Sequence, residues 1–445
     1  MEKLIIKGGK KLKGTISVSG SKNVALKAFV AACLTKERMV IENVPLITDI
    51  FVMADIIREL GGKVEFKDHS VVIRINKLQS DKIYLDRAAE IRTSFMFLAP
   101  LLARRKAAVI PNPGGCRIGA RPIDRVIKGL KRMGVSVKYN SKDGYFHSFV
   151  KEGLKGTTYK FLKNTHTGTE ALVLAAVLAK GVTILENAAQ EPEIDELIKL
   201  LSLMGAKVKR VKPRTIEIQG VKKLHGAKFR INPDRNEVVT FAVAGILTGG
   251  DIFIKDIGVG GLVEFITELE KAGAGFEVKN GGIRFYYKKP LSATKITTAP
   301  YPGFMTDWQA PWAVLMTKAN GESIIHETVY ESRLGYARQL KKMGAKVKFF
   351  NPEVKNPKAV YNFNTGDDSN LYHALKIKGP AELHNGVVKV TDLRAGATLV
   401  LAALSARGES VILEIEHLDR GYENFDKRLR KLGANIKRES DEELK

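Results

Sequence analysis

Apolar positions along this chain alternate between a period of about 3.6 and a period of about 2.0, and the alternation repeats six times. The clearest marker is an amphipathic helix ending on a glycine, followed by a short strand with every second residue apolar. It recurs at Leu60-Gly61-Gly62-Lys63-Val64, Met133-Gly134-Val135-Ser136-Val137, Met204-Gly205-Ala206-Lys207-Val208, Ala272-Gly273-Ala274-Gly275-Phe276, Met343-Gly344-Ala345-Lys346-Val347 and Leu432-Gly433-Ala434-Asn435-Ile436. The first glycines, at 61, 134, 205, 273, 344 and 433, are spaced 73, 71, 68, 71 and 89 residues apart. Each is predicted to be the left-handed residue that closes a helix.

The pattern around these glycines fills in a unit of strand, helix, strand, helix and strand. Amphipathic surface helices are predicted over 49–60, 121–133, 194–204, 262–272, 334–343 and 422–432. More apolar helices, over 24–34, 93–103, 169–179, 238–247, 310–318 and 397–406, read as buried. Short β-branched strands lie between them, as at 39–42, 182–185 and 411–413, and an opening strand such as 14–18 precedes the buried helix. Six units predict an α/β protein of two lobes, three repeats each, with the buried helices at the lobe centres and sheets outside. The interval of 89 places an insertion within 349–383, expected to lie on the surface far from the chemistry, and the charged tail 437–445 is expected to fray.

Composition narrows the class. A chain of 445 residues exceeds the size of one core, in keeping with two lobes. No apolar run approaches the ~20 residues that span a bilayer, so no membrane insertion is expected. The N-terminus lacks the apolar segment of a signal peptide, and two cysteines make no disulfide framework, so a cytoplasmic protein is expected. The net charge of +25 suits nucleic acid, an anionic surface or an anionic small substrate. The lysines are scattered and no aromatic residues interleave with them, so a nucleic-acid-binding repeat protein is disfavoured and no nucleic acid partner is expected.

Candidate chemistry collects at two places in the unit. One is the start of the buried helix: Lys22-Asn23, Arg92, His166-Thr167-Gly168, Asp234-Arg235, Asp307 and Asp392-Leu393-Arg394. The other is the loop after the second strand: Asp49, the segment 111–122, Gln190-Glu191, Glu331-Ser332-Arg333 and Asp419-Arg420. Equivalent ends of equivalent elements face one way, so both sets are expected to converge on a cleft between the lobes. Lys22, Arg92, Arg121, Arg333, Arg394 and Arg420 are cations suited to a ligand with several negative charges. Asp49, Asp307 and Asp392 add acid–base capacity, with an N-cap role as the alternative for Asp307 and Asp392. Segment 111–122 is dense in Pro and Gly and must be a loop; its Cys116 is either a thiol activated by neighbouring arginines or a small apolar filler. No metal-ligand spacing and no Walker loop occurs, and Gly258-Val259-Gly260-Gly261 has Val263 where a dinucleotide fingerprint needs its third glycine.

Seven collinear motifs carry a resemblance. They are Gly20-Ser21-Lys22-Asn23, Gly114-Gly115-Cys116-x-Ile118-Gly119-Ala120-Arg121-Pro122, Glu186-Asn187-Ala188-Ala189, Thr306-Asp307-x-Gln309-Ala310, Glu327-Thr328-Val329-x-Glu331-x-Arg333, Thr391-Asp392-Leu393-Arg394-Ala395 and Asp419-Arg420-Gly421-Tyr422. In them the chain resembles the enolpyruvyl transferases, specifically the UDP-N-acetylglucosamine 1-carboxyvinyltransferase family. The resemblance implies a two-lobed inside-out α/β barrel of six βαβαβ-type repeats, with 21–228 as one lobe carrying the Cys116 lid. Residues 1–20 and 229–445 would form the other. It implies transfer of enolpyruvyl from phosphoenolpyruvate to the 3′-hydroxyl of UDP-N-acetylglucosamine with release of phosphate, opening peptidoglycan synthesis and serving cell shape and division. No cofactor, a monomer and reaction with fosfomycin at Cys116 are also implied.

Site roles follow from the same resemblance. Lys22, Arg121 and Arg420 would hold the phosphate of phosphoenolpyruvate, Arg333 and Arg394 its carboxylate, with Asn23 beside them. Asp307 would take the hydroxyl proton, and Cys116 would protonate the vinyl carbon. Asn23, Arg92, Arg121, Val329 and the turn His166, Thr167 and Gly168 would bind the UDP-sugar, with Pro122, Ile123 and Asp124 against the uracil. Asp49, Glu331 and Asp392 would support them. The chain departs from the family at Arg125, where an apolar residue is usual, and at His166-Thr167-Gly168, where Ser-Val-Gly is usual. His166 is either a cation near the diphosphate or a polar loop residue. The shikimate-pathway enolpyruvyl transferase, which shares the fold, would show Asn-Ala-Gly-Thr near Arg92, where this chain has Glu90-Ile91-Arg92-Thr93-Ser94; a catalytically silent paralogue is a further alternative.

Overall fold

All six repeat glycines are left-handed, with φ of 91° at Gly61, Gly134 and Gly205, 80° at Gly273, 92° at Gly344 and 99° at Gly433. The closure is the same each time. At Gly205 the glycine N–H donates to the Ser202 carbonyl and the next N–H, of Ala206, to Leu201, both at 2.9 Å. A side chain in this conformation costs about 1–2 kcal/mol. Gly205→Ala is therefore expected to lower the urea midpoint by that stability at unchanged slope, with Gly205→Asn losing less. An alanine variant as stable as the parent would remove the argument.

The computed structural model describes residues 2–114, 123–363 and 371–440. They divide into two units, with boundaries between Ser19 and Gly20 and between Asn232 and Pro233. In the unit from Gly20 to Asn232, the first sheet runs Lys228–Arg230, Met39–Glu42, Ser70–Arg74, Lys63–Lys67. The second runs Ala107–Pro111, Tyr145–Phe149, Ser136–Asn140, and the third Thr158–Lys160, Val182–Glu186, Thr215–Gln219, Lys207–Lys212. In the four-stranded sheets an opening strand lies parallel to the strand after the buried helix, as Thr158 to Ile184, and an antiparallel hairpin completes the sheet. The buried helices are Lys22–Ala32, Leu98–Arg105 and His166–Ala176.

The other unit repeats the plan. Its sheets run Lys13–Ser17, Asp251–Lys255, Gly282–Tyr286, Gly275–Lys279; then Lys295–Thr297, Gly321–His326, Ala374–Gly379, Lys346–Phe350; then Val387–Lys389, Glu409–Leu413, Glu2–Lys7, Asn435–Ser440. Its helices Arg235–Leu247, Gln309–Met316 and Leu393–Ser405 pack pairwise on one another. Every residue of Arg235–Leu247 is buried, in keeping with a stretch that from Val238 onward is apolar on all sides but for Thr240.

Several expectations need correction. The opening strand at 14–18 belongs to the fourth repeat: Lys13–Ser17 runs parallel to Asp251–Lys255, and Lys228–Arg230 supplies the first repeat's opening strand. Adjacency in sequence cannot choose between two equally apolar edges. The buried helix expected over 93–103 starts as a 3-10 segment, Arg92–Phe97, and becomes α-helical only at Leu98–Arg105, with Pro100 in the first turn where a missing N–H costs no bond. The helix expected over 422–432 begins at Phe425, after a short turn of helix at Glu416–Asp419. The tail does not fray from 437: Lys437 to Ser440 pair with Ile5 to Glu2, because the N-terminal strand takes the hairpin place in the last sheet.

The 349–383 stretch also lies closer to the candidate chemistry than expected. Ala374–Gly379 is an ordinary strand of the fifth sheet, and the segment before it is anchored by aromatic packing. Tyr361 and Phe363 are buried, with ring centroids 4.9 Å apart, and Tyr361 Oη lies 3.1 Å from His326 Nε2. The Asn362 N–H donates to the Thr328 carbonyl, and the Glu327 N–H to that of His373. The insertion thus braces the segment that carries Val329.

Candidate active site

The candidate residues form two clusters, one in each unit. In the unit beginning at Pro233, two aspartates that looked alike in sequence do different work. Asp392 is an N-cap, accepting the N–H groups of Arg394 and Ala395 at 3.0 and 3.1 Å. Asp307 instead accepts from Arg333 Nη2 at 2.5 Å, and the following helix, Gln309–Met316, has no side-chain cap. Arg333 is 6% exposed, whereas the Asp307 side chain keeps 25% of its surface. Burial by itself would raise the Asp307 pKa, but the Arg333 and Arg394 guanidiniums, with Arg235 behind them, hold it down to about 2.

The arginines are fixed from behind. Arg394 Nη1 donates to Tyr422 Oη at 2.9 Å, and that hydroxyl lies 2.8 Å from Thr240 Oγ1. The Arg394 guanidinium also stands 5.3 Å from the Tyr422 ring centroid. Arg235 sits near the rings of Tyr301 and Trp308, at 5.4 and 5.5 Å. The Arg333 carbonyl accepts from Gln309 Nε2 at 3.5 Å, and Gln309 Oε1 accepts from Tyr336 Oη at 2.6 Å. Glu327, fully buried, accepts the N–H groups of Val329 and Tyr330 and the Thr306 hydroxyl, at 2.7, 3.0 and 2.8 Å. Burial pushes its pKa up, against Arg333 and those donors. Tyr422, Thr240, Glu327 and Arg235 are thus part of the site although sequence reasoning gave them no role. Arg235 stood beside a helix-start aspartate and Glu327 and Tyr422 stood within the family motifs, whereas Thr240 carried no sequence signal.

In the unit beginning at Gly20, Lys22 opens the helix Lys22–Ala32 and its Nζ lies 2.7 Å from Asp49 Oδ2, both nearly buried. Asn23 and Arg92 are half-buried at their helix starts. Before the helix His166–Ala176, Thr165 caps by accepting the Gly168 N–H at 3.2 Å. His166 Nε2 is 3.1 Å from Glu170 Oε1, and Lys27 Nζ is 3.1 Å from Glu170 Oε2.

The unusual Arg125 ties two candidate segments together: its Nη1 donates to the Asn164 carbonyl at 3.2 Å, and its own carbonyl accepts from Tyr159 Oη at 2.9 Å. Ile123 is buried at the start of the helix Asp124–Arg132, whose half-buried Asp124 faces Lys128 at 3.4 Å. Cys116, Arg121 and Pro122 lie outside the described residues. Gly114, the last described residue before them, would place a Cβ 1.9 Å from the Ala89 carbonyl oxygen, so only glycine fits there. Val329, Glu331 and Arg420 are half-buried, Arg420 closing the short helix Glu416–Asp419.

The arrangement gathers arginines around one carboxylate in one unit and a lysine–aspartate pair with a polar helix start in the other. Both suit anionic ligands. A family profile described as EPSP synthase (3-phosphoshikimate 1-carboxyvinyltransferase) matches residues 6–441. The UDP-N-acetylglucosamine 1-carboxyvinyltransferase of Acidobacterium capsulatum is 40% identical over 443 residues, covering 98% of this chain and 96% of that one. The enzyme of the same name from Trichlorobacter lovleyi is 41% identical over 441 residues, covering 99% and 100%. The crystal structure of the enolpyruvyl transferase NikO from Streptomyces tendae superposes with a TM-score of 0.86 at 24% identity, covering 98% of each chain. An EPSP synthase structure from Acinetobacter baumannii gives 0.73 at 18% identity, covering 99% and 100%. The two structures speak to the fold, which is that of the enolpyruvyl transferases; with the sequence identities, the chain belongs to the UDP-N-acetylglucosamine 1-carboxyvinyltransferase family.

Proposed function

We propose that this chain transfers the enolpyruvyl group of phosphoenolpyruvate to the 3′-hydroxyl of UDP-N-acetylglucosamine and releases phosphate, opening peptidoglycan synthesis in the cytoplasm. The observation that carries the reading is the Asp307 carboxylate held by Arg333 beside Arg394. In that role Lys22, Arg121 and Arg420 bind the phosphate, and Arg333 and Arg394 the carboxylate, of phosphoenolpyruvate. Asn23, Arg92, Val329, the turn at 166–168 and the segment 122–124 bind the UDP-sugar. The lobe of the first three repeats carries Cys116 on its lid, and the chain acts as a monomer.

The addition forms a bond from the sugar oxygen to C2 of phosphoenolpyruvate. Asp307 takes the hydroxyl proton while the Cys116 thiol delivers one to C3, which becomes a methyl group. The elimination breaks the bond from C2 to the phosphate oxygen and returns a methyl proton to the Cys116 thiolate, leaving the enol ether and phosphate. A carboxylate with a pKa of about 2 is a poor base at neutral pH. The substrate carboxylate resolves this by engaging Arg333 and Arg394, which removes the stabilisation of the Asp307 anion and makes it more basic. Closure of the 111–122 loop excludes water from the tetrahedral intermediate.

Phosphate release from phosphoenolpyruvate, with UDP-N-acetylglucosamine or shikimate 3-phosphate as acceptor, tests the reading. Release is expected with the UDP-sugar only. Release with shikimate 3-phosphate would reassign the acceptor, and folded protein active with neither would end the enzyme reading.

A further inference from the structure

The turn at 165–168 has behind it more buried charge than nucleotide binding by backbone amides requires. Glu170, fully buried, is shared by two cations: His166 Nε2 on its own helix and Lys27 Nζ on the helix Lys22–Ala32, each 3.1 Å away. Lys27 is 5% exposed and the His166 side chain 23%. Glu191, just before the helix Pro192–Leu203, is 3% exposed, its buried Oε2 makes no hydrogen bond, and its charge acts on His166. Isolated buried carboxylates are expensive, so this set persists only with its cations in place.

The surrounding elements contribute other charged groups, most of them engaged elsewhere. From the helix Asp124–Arg132, Arg125 reaches Asn164 and Asp124 faces Lys128. Lys163, before the turn, feels Arg125. Arg104, on the helix Leu98–Arg105, is spent on the carbonyls of Cys33, Thr35, Ile75 and Asn76. On the strand Thr215–Gln219, Glu217 pairs with Lys209. The helix Pro192–Leu203, packed on the helix of His166, adds the buried Glu193, Asp195, which pairs with Arg210, and Glu196, which accepts the Asn232 N–H; the carboxylates that raise His166 are Glu170 and Glu191. Burial opposes an imidazolium there, but the two carboxylates outweigh it and raise the pKa to about 9. With Nε2 on Glu170, Nδ1 makes no hydrogen bond among the described residues.

We propose that Glu170, paired with Lys27, is a positioning residue that fixes His166 as an imidazolium by its Nε2. The remaining N–H is thereby presented as a charged donor to the diphosphate of the UDP-sugar. This rests on the assignment of the turn as the nucleotide site, and adds a charged side chain where the family departure left only backbone. A raised pKa means the charge is complete below the ordinary imidazole range and is lost only as pH rises through about 9.

The test measures KM for UDP-N-acetylglucosamine and for phosphoenolpyruvate from about pH 6 to 10 in the parent, H166Q and E170Q. In the parent, KM for the UDP-sugar is expected to stay level to about pH 8 and to climb about tenfold above pH 9. E170Q should show the same climb shifted down toward the ordinary imidazole range, and H166Q a raised, pH-independent KM. KM for phosphoenolpyruvate should follow one profile in all three. H166Q leaves the Lys27–Glu170 pair intact, so it carries the test if E170Q does not fold, together with an NMR titration of the His166 ring. A UDP-sugar KM unchanged within about twofold in H166Q, or a ring titrating near the ordinary value, would overturn the inference while transfer stands. Absence of any transfer by the parent would overturn the nucleotide reading itself.

Discussion

Replacing Asp307 by Asn is expected to lower turnover about a thousandfold while the chain remains folded, because removing a positioned general base costs about 10²–10⁴ in rate. Asn keeps an oxygen to accept from Arg333 but cannot take the sugar proton. The pH dependence makes the expectation specific. In the free protein the Asp307 pKa is about 2, so kcat/KM should show no acid limb from this group above about pH 3. The kcat profile reports the substrate complex, in which the arginines are engaged by phosphoenolpyruvate, and its acid limb should lie at higher pH. Coincident limbs in the two profiles would show that the arginines do not control the base. The folded-state pKa is depressed, so the carboxylate's contribution to stability is complete above the ordinary Asp range and lost as pH falls through about 2. D307N should therefore differ in stability from the parent at neutral pH and converge with it only in strong acid. Thermal melts across that range check this.

Fosfomycin is expected to add once to the protein, at Cys116, and never at Cys33. Cys33 is fully buried, its Sγ lies 3.5 Å from the Phe29 carbonyl oxygen, and burial pushes the thiol up to about 12. At pH 8 its thiolate fraction is about one in ten thousand. Cys116 is followed in sequence by Arg117 and Arg121, cations that favour the thiolate. Peptide mapping after treatment, with and without UDP-N-acetylglucosamine, reads the outcome, and modification should be faster with the sugar present. Cys116→Asp should abolish labelling and retain turnover, with its optimum moved to lower pH because a carboxyl is the stronger acid. Labelling of Cys33 would refute the assignment, and an inactive Asp variant would show a thiol role beyond proton donation.

The two aspartates at helix starts show how far reading along the chain reaches. A residue at such a start looks the same in sequence whether it caps or catalyses. Asp392 caps its own helix, whereas Asp307 meets Arg333, 26 positions later, from the next element of its repeat. Likewise His166 could be read as a polar loop residue until Lys27 and Glu170, on two different buried helices, were brought together behind it. Lys27 and Glu170 sit in apolar helical stretches, where a charge usually marks a surface face; here the partner across the helix pair decides.

The six units and their glycine-closed helix ends are legible along the chain because they rest on local physics, and the collinear motifs carry the family. A left-handed glycine closes a helix whatever surrounds it, and apolar periodicity marks the buried face. Which sheet each opening strand joins, the place of the N-terminal strand in the last sheet, and which carboxylate caps and which is held by arginines emerge only once the chain is folded. Those outcomes depend on pairings between residues distant in the chain, whose energies are set by burial and by charges that no local pattern contains.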